Sequence, residues 1–104
     1  MITLQKNVTE FLEELVQILF EKEYFGFESD ALMYVSKIYD FIEFELPNFP
    51  FRRTPPQLIH FSSKYAFYKA NNHTTWFVFF ELSHKRYLIT HITNNHSEEA
   101  NFLT

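Results

Sequence analysis

The feature that most constrains this chain of 104 residues is a single change of hydrophobic period near its middle. Before residue 50, apolar side chains recur every three or four residues, as they do in helices with one buried face. After residue 57, runs of aromatic and β-branched residues alternate with short polar connections, as in strands and hairpins. This pattern predicts an α+β domain in which an N-terminal helical hairpin packs on a small antiparallel β-sheet.

Two helices are predicted in the first half of the chain. The first covers about residues 8–23, and Gly26 is expected to end it in a left-handed conformation. The second begins at Glu28 or Ser29 and ends at Pro47, because the residue before a proline is steered away from helical geometry. Since the connection between them is short, the two helices should lie antiparallel to each other.

A stiff loop and then a sheet are predicted in the second half. Prolines at positions 50, 55 and 56 remove backbone donors, so residues 48–57 should form an extended loop outside the sheet interior. Three strands are expected to follow, over residues 58–69 (with a break at Ser62-Ser63), 74–82 and 86–93. The polar connections between these strands have hairpin length, which favours an antiparallel meander.

Short segments flank these elements. Residues 2–5 could form an edge strand, and residues 97–104 a short C-terminal turn or tail. Hydrophobic residues make up 46% of the chain and aromatic residues 20%, which suits one packed core and argues against disorder. At this length, residues 1–104 are predicted to form a single domain.

The strand predicted over residues 74–82 is apolar on both faces, because Phe77 and Phe79 alternate with Trp76, Val78 and Phe80. One face should pack on the helices. We expect another element of the chain to cover the second face, as in buried central strands. The alternative is that this face is a docking surface for a partner.

Charge is divided along the chain. Residues 1–50 carry ten acidic residues and three lysines, a net charge of −7, whereas residues 51–104 carry six basic and three acidic residues, a net charge of +3. An acidic partner or a polyanion would therefore bind the second half, although uneven solvated faces give the same division. The net charge of −4 for the whole chain argues against strong non-specific nucleic-acid binding.

Composition excludes several classes of function. With Gly26 as the only glycine, neither a P-loop nor a dinucleotide-binding loop can be formed. The absence of cysteine excludes disulfides, thiolate nucleophiles and Cys-ligated zinc. His60, His73 and His84 lie in separate segments without metal-ligand spacing, so we predict no metal and no other cofactor. Neither a membrane span nor a secretory signal is evident, so the expectation is a soluble cytoplasmic protein.

Three passages of the sequence resemble the RelE/ParE family of bacterial toxins. Residues 31–50 read as a second helix running into a Pro-rich basic loop, residues 64–69 and 75–81 as consecutive strands, and residues 86–96 as a last strand, RYLITHITNNH. The resemblance covers roughly residues 2–96 and follows the order of the elements. It implies the toxin of a two-component toxin–antitoxin module, which a cognate antitoxin keeps inactive.

The resemblance leaves the mode of action open. The first hypothesis is growth inhibition by binding, as in ParE-like toxins that act on DNA gyrase. The alternative is a RelE-like endoribonuclease that cuts mRNA on the ribosome, and the third is a non-toxic interaction module of the same shape. A homodimer is also compatible with the sequence. No membrane partner is expected.

A catalytic set can be named for the ribonuclease alternative. By the resemblance, His96 falls where RNA-cutting members keep a C-terminal histidine, and Lys69 lies in the strand that usually supplies an arginine. With Arg86 these side chains could serve as acid or base and stabilise charge at phosphorus. However, Thr75 stands where a second arginine is common, and Pro55-Pro56 where some members have a carboxylate base. These departures favour the binding hypothesis.

Five residues are predicted to contact a target. Arg52-Arg53, beside three prolines, suit a phosphate or an acidic partner, and a solvated pair or salt bridges to the acidic helices are equally compatible with them. Lys64, Tyr87 and His91 complete the predicted target-binding set. Strict alternation along the last strand places His91 on the same face as Ile89, which favours a half-buried histidine over a catalytic one.

Overall fold

The change of period seen in the sequence separates two helices from a five-stranded sheet in the computed structural model, which describes residues 1–22 and 26–103. The helices are α1 (Lys6–Glu21) and α2 (Glu28–Asp40). The strands are β1 (Ile2–Leu4), β2 (Arg52–Arg53), β3 (Lys64–Lys69), β4 (Thr75–Ser83) and β5 (Arg86–Asn94). No helix in these described ranges is both long enough and apolar enough to cross a membrane.

Helix α1 forms because its apolar residues share one face. Val8, Leu12 and Leu15 lie one turn apart and are buried against the sheet. The helix ends at Glu21, where the backbone N–H of Lys22 bonds to Ile18 O at 3.0 Å. The predicted end at residue 23 falls outside the described residues.

The predicted left-handed stop at Gly26 is wrong. The backbone φ of Gly26 is not positive, and the residue lies in a bend between the helices. Its position explains the difference, since α1 has already ended at Glu21 and Gly26 no longer follows the last helical residue directly. It is instead two residues from the start of α2 at Glu28.

The second predicted helix changes geometry before it reaches Pro47. After α2 ends at Asp40, Phe41–Glu45 form a π-helical turn and Leu46–Asn48 a 3₁₀ turn. Pro47 is accommodated at the start of the 3₁₀ turn, where a missing backbone N–H removes no helical bond. The wide π turn directs adjacent Phe41 and Ile42 into the core, and each is 1% exposed.

The sheet is mixed, with strand order β1-β5-β4-β3-β2. The predicted antiparallel meander is confirmed for β3, β4 and β5. The prediction of a wholly antiparallel sheet is wrong for β1, which pairs parallel with β5. Parallel neighbours are possible here because the helices carry the chain over the sheet between its first and last strands.

The strand predicted to follow the prolines begins later than expected. Pro56–Leu58 form a 3₁₀ turn, so β3 begins only at Lys64, after the predicted break at Ser62-Ser63. Arg52–Arg53 pair with the start of β3 as a two-residue edge strand. An edge is where flanking prolines are tolerated, because their missing donors would face solvent.

A β-bulge at Thr90 changes which side chains of β5 share a face. Phe79 is paired with His91 but Phe80 with Ile89, so Thr90 is an extra residue between the two pairs. Ile89 consequently packs on the helix side, whereas His91 lies against Phe79 on the outer side. The prediction that Ile89 and His91 share a face is therefore wrong.

Both faces of β4 are covered, as expected for a buried central strand. On the helix side, Trp76, Val78 and Phe80 pack in a core with α1, α2 and the π turn. On the outer side, a smaller core surrounds Phe77 and Phe79 and is formed by Leu58, Phe61, Tyr65, Ala100 and Leu103. The last two residues belong to or follow the C-terminal 3₁₀ helix Glu98–Phe102.

Two adjacent substitutions test this two-sided burial. Phe79 and Phe80 are each 0% exposed on opposite faces. Phe79→Ala and Phe80→Ala should therefore each lower the free energy of unfolding by about 3 to 5 kcal/mol. The control Phe44→Ala, at a side chain that is 70% exposed, should change it by less than about 0.5 kcal/mol. Urea denaturation measures all three, and a near-neutral Phe79→Ala would contradict the outer core.

The helix-side core should also weaken at alkaline pH through Tyr68. This side chain is stacked on Phe41, with ring centroids 5.3 Å apart. Burial, followed by the nearby Tyr34, Glu45 and Asp40, raises the pKa of Tyr68 above 10.0. The unfolded chain then loses this proton at lower pH than the folded protein, so stability present below pH 10 falls as pH rises further.

Tyr68→Phe removes this titration. We expect the variant to lose less stability than the wild type between about pH 9 and 12, when urea midpoints are compared with each protein's own value at pH 8. Equal alkaline losses in the two proteins would contradict the assignment.

Candidate functional site

Arg86 is separated by the length of β5 from Lys69 and His96, the other two residues of the predicted catalytic set. Arg86 is the first residue of β5 and lies in register with Ser83. Lys69 ends β3 in register with Thr75, at the other end of the sheet, and Thr75 in turn is bound through its N–H to Asn95 beyond β5. Because β5 has nine residues, Arg86 is roughly 25 Å from this end at about 3.3 Å per residue.

Lys69 and His96 share an end of the sheet but lie on opposite faces. Phe67, two residues before Lys69, packs in the outer core, so alternation places Lys69 on the outer face. His96 lines a groove on the helix side together with Trp76 and has Nε2 3.3 Å from Thr74 Oγ1. The structure therefore does not bring Lys69, Arg86 and His96 to one reaction centre.

Basic residues collect instead at the β2–β3 edge of the sheet. Three of the six basic residues of the second half lie there, and we call them with their two neighbouring phenylalanines the cationic edge: Arg52, Arg53, Lys64, Phe51 and Phe67. Arg52 pairs with Tyr65 and Arg53 with Lys64, so consecutive arginines point to opposite faces. The edge therefore presents positive charge on both sides.

On the outer face, Arg52 lies over an aromatic ring. Its guanidinium carbon is 5.5 Å from the centroid of Phe67, a distance at which a cation is attracted to the ring face. Phe67 is supported from the side by Phe49, whose ring lies 5.8 Å away and nearly perpendicular. The contact holds the guanidinium over the ring of Phe67 at an exposed position.

On the helix face, Lys64 has a similar arrangement with Phe51. Its Nζ lies 5.9 Å from the Phe51 ring centroid. Phe51 in turn contacts Phe80 edge-on at 5.7 Å and remains 46% exposed. A large apolar surface beside a cation is a feature of surfaces that bind other proteins.

The cationic edge is held in place by Glu81 of β4. Its carboxylate accepts hydrogen bonds from the backbone N–H of Ser63, at 3.0 Å, and from the Ser63 hydroxyl. Ser63 O accepts the backbone N–H of Thr54 at 3.0 Å, which extends the pairing of β2. Glu81 is thus a positioning residue for the arginines.

Two residues of the predicted target-binding set lie elsewhere. Tyr87 is half-buried on the helix side, and its hydroxyl donates to Pro47 O at 3.3 Å. His91 is stacked on Phe61, with centroids 3.8 Å apart and planes inclined by 8°, and its Nε2 is 3.3 Å from Glu99 Oε2. His91 therefore connects the sheet to the C-terminal turn. Only Arg52, Arg53 and Lys64 of that set lie together.

Phe51, Phe67 and Glu81 are parts of this site that the sequence analysis missed. An aromatic residue next to Arg52-Arg53 in sequence could have drawn attention to Phe51. The contributions of Phe67 and Glu81 depend on strand register, for which the sequence holds no local signal. In residues 1–22 and 26–103, no group of three or more His, Asp or Glu side chains is placed to hold a metal ion.

The arrangement of the cationic edge is suited to binding. Exposed cations stabilised over aromatic rings can pair with acidic groups of a partner, and the neighbouring rings add apolar contact area. The fold defines the chain as an α+β domain with a five-stranded mixed sheet. Comparison with known proteins finds no match to a family model, to a curated protein or to a solved structure.

Replacing Glu81 should loosen the cationic edge. In Glu81→Ala, Ser63 loses both hydrogen bonds to the carboxylate, and unfolding should become easier by about 1 to 2 kcal/mol. The amide hydrogen of Thr54, bonded to Ser63 O, should exchange faster than in the wild type. Glu28→Ala, at the exposed start of α2, is the matched control. Unchanged Thr54 exchange in Glu81→Ala would show that Glu81 does not position β2.

Proposed function

We propose that this protein is a growth inhibitor of the RelE/ParE toxin type that acts by binding its target and is neutralised by a cognate antitoxin. The order of its elements supports the proposal. A short strand, two helices, a proline-containing segment and a three-stranded meander follow one another, which is the order that the resemblance implies. In addition, the first strand, β1, pairs with the last strand, β5, and so joins the meander in one sheet.

The observation that carries the binding mode is the cationic edge. Arg52 and Arg53 point to opposite faces at a sheet edge, with Lys64 opposite Arg53 on the neighbouring strand. A partner with complementary charge would present acidic groups to one face of this edge or to both. We propose an acidic surface of DNA gyrase as the ParE-like target.

The separation of Lys69, Arg86 and His96 argues against the ribonuclease alternative. General acid–base catalysis requires groups within hydrogen-bond reach of the same reacting atoms. Arg86 is at the opposite end of β5 from His96, and Lys69 is on the other face. Binding without chemistry needs no such convergence.

Tightly regulated expression in a bacterial host tests the proposal. Wild-type protein should arrest growth, and purified protein should inhibit gyrase supercoiling. Arg52→Gln combined with Arg53→Gln should weaken both effects by roughly tenfold or more, because lost charge pairs slow and weaken association. The melting temperature should change little, since both side chains are exposed.

A charge-matched control comes from the other end of the sheet. Lys85→Gln combined with Arg86→Gln removes the same charge at the β4–β5 turn and should leave growth arrest intact. If only this control variant lost growth arrest, the target contact would lie at the β4–β5 turn and not at the cationic edge. Cleaved mRNA in arrested cells would favour the ribonuclease. Normal growth at high soluble yield of the wild type would favour the non-toxic interaction module.

A further inference from the structure

A groove of about 550 Å³ lies away from the cationic edge, between the last turns of α1 and the ends of β4 and β5. One wall is apolar and consists of Leu15, Ile18 and Leu19 of α1 together with Trp76 of β4. Tyr34 of α2 accepts the indole N–H of Trp76 at 2.9 Å, which fixes the ring. This volume is typical of small-molecule sites, which span about 300 to 1,000 Å³.

The other wall of the groove is polar and comes from the β3–β4 connection and the end of β5. Asn71 Oδ1 accepts the backbone N–H groups of His73 and Thr74, at 2.8 and 2.9 Å. Asn94 Oδ1 accepts the N–H of His96 at 2.9 Å. Because backbone donors occupy both oxygens, each amide keeps its Nδ2 hydrogens for another partner. Within the described chain, neither Nδ2 makes a hydrogen bond.

The charge of the groove favours an anion. The described residues that line it include no carboxylate, although the whole chain contains 13 acidic residues. Lys22 and His96 lie among these lining residues, but no arginine does. Phosphate groups, with their higher charge, are usually bound by clusters of arginine and lysine. A single carboxylate matches the two amide donors better.

We infer that this groove binds a small carboxylic acid with an apolar body. The apolar body packs on Trp76 and the α1 wall, and the carboxylate accepts hydrogen bonds from the amides of Asn71 and Asn94. The orientation follows from α1, whose C-terminal carbonyls carry partial negative charge and repel an anion at close range. Since the groove is separate from the cationic edge, this binding and growth inhibition can succeed or fail independently.

The groove contains its own reporter, because Trp76 is the only tryptophan of the chain. Titration with 4-phenylbutyrate should give a saturable change in tryptophan fluorescence, with a dissociation constant below about 10 mM. The uncharged analogue 4-phenyl-1-butanol should bind roughly tenfold more weakly, since it lacks the carboxylate that the amide donors recognise. No saturation, or equal affinity for the two compounds, would overturn the assignment.

Two variants on opposite walls locate the binding. Asn94→Asp keeps an acceptor for the His96 N–H but replaces the amide donor with a negative charge, so affinity should fall by roughly tenfold or more. Ile18→Glu, at a side chain that is 41% exposed, should also weaken binding without disturbing the core.

Matched controls are Asn48→Asp, at an exposed position, and Leu32→Glu, at a side chain 53% exposed on α2. Both residues lie outside the groove lining and should leave the affinity unchanged. Melting temperatures of all four variants show whether each is folded. Unchanged affinity in folded Asn94→Asp and Ile18→Glu would overturn the proposed site.

Discussion

The rest of the structure depends on the burial of β4 on both of its faces. Phe79 and Phe80 follow one another in the chain, point in opposite directions and are both 0% exposed. A strand of this kind is stable only when two separate layers cover it, because leaving one such ring in water forgoes a large part of its burial free energy. The helical hairpin supplies one layer. The segment around Leu58 and Phe61 and the C-terminal turn supply the other.

The second layer explains why the outer face is closed over part of the sheet and open over the rest. Phe61 reaches His91 on β5, and Glu99 of the C-terminal turn contacts the same imidazole. These contacts hold the second layer against the middle of the sheet. Toward β2 this layer ends at the partly buried Phe67, which packs against it and is also flanked by Arg52 and Phe49. Arg52 and Phe67, the outer-face residues of the cationic edge, therefore lie at the margin of this layer.

Local sequence signals predicted the two helices and the three strands of the meander in their order, because periodicity, prolines and polar turns act within a few residues. These local signals did not predict features that depend on strand pairing. The bulge at Thr90 places Ile89 and His91 on opposite faces of the sheet. It is visible only in the register of β5 with Phe79 and Phe80. The parallel pairing of β1 with β5 depends equally on a contact between distant parts of the chain.

The same distinction applies to the sites. Arg52-Arg53 could be named from the sequence because a basic pair among prolines is a local signal. The separation of Arg86 from His96 also follows from the sequence, since the ends of a strand over residues 86–93 lie about 20 Å or more apart. The placement of Lys69 and His96 on opposite faces does not, because it depends on how β3 pairs with β4. The groove was missed as well. Trp76, Asn71 and Ile18 come from three segments that only the packing of α1 on the sheet brings together.

The charge at the β2 edge also limits what can bind there. In an antiparallel pairing of β2 with β2 of a second copy, Arg52 and Arg53 would lie opposite arginines of the partner, and like charges directly opposite each other destabilise strand pairs. Basic residues on short edge strands protect proteins from this kind of edge-to-edge association. Pairing of β2 with β2 is therefore disfavoured as the contact of a homodimer. The edge repels copies of itself, and an acidic partner is the kind of molecule that can approach it.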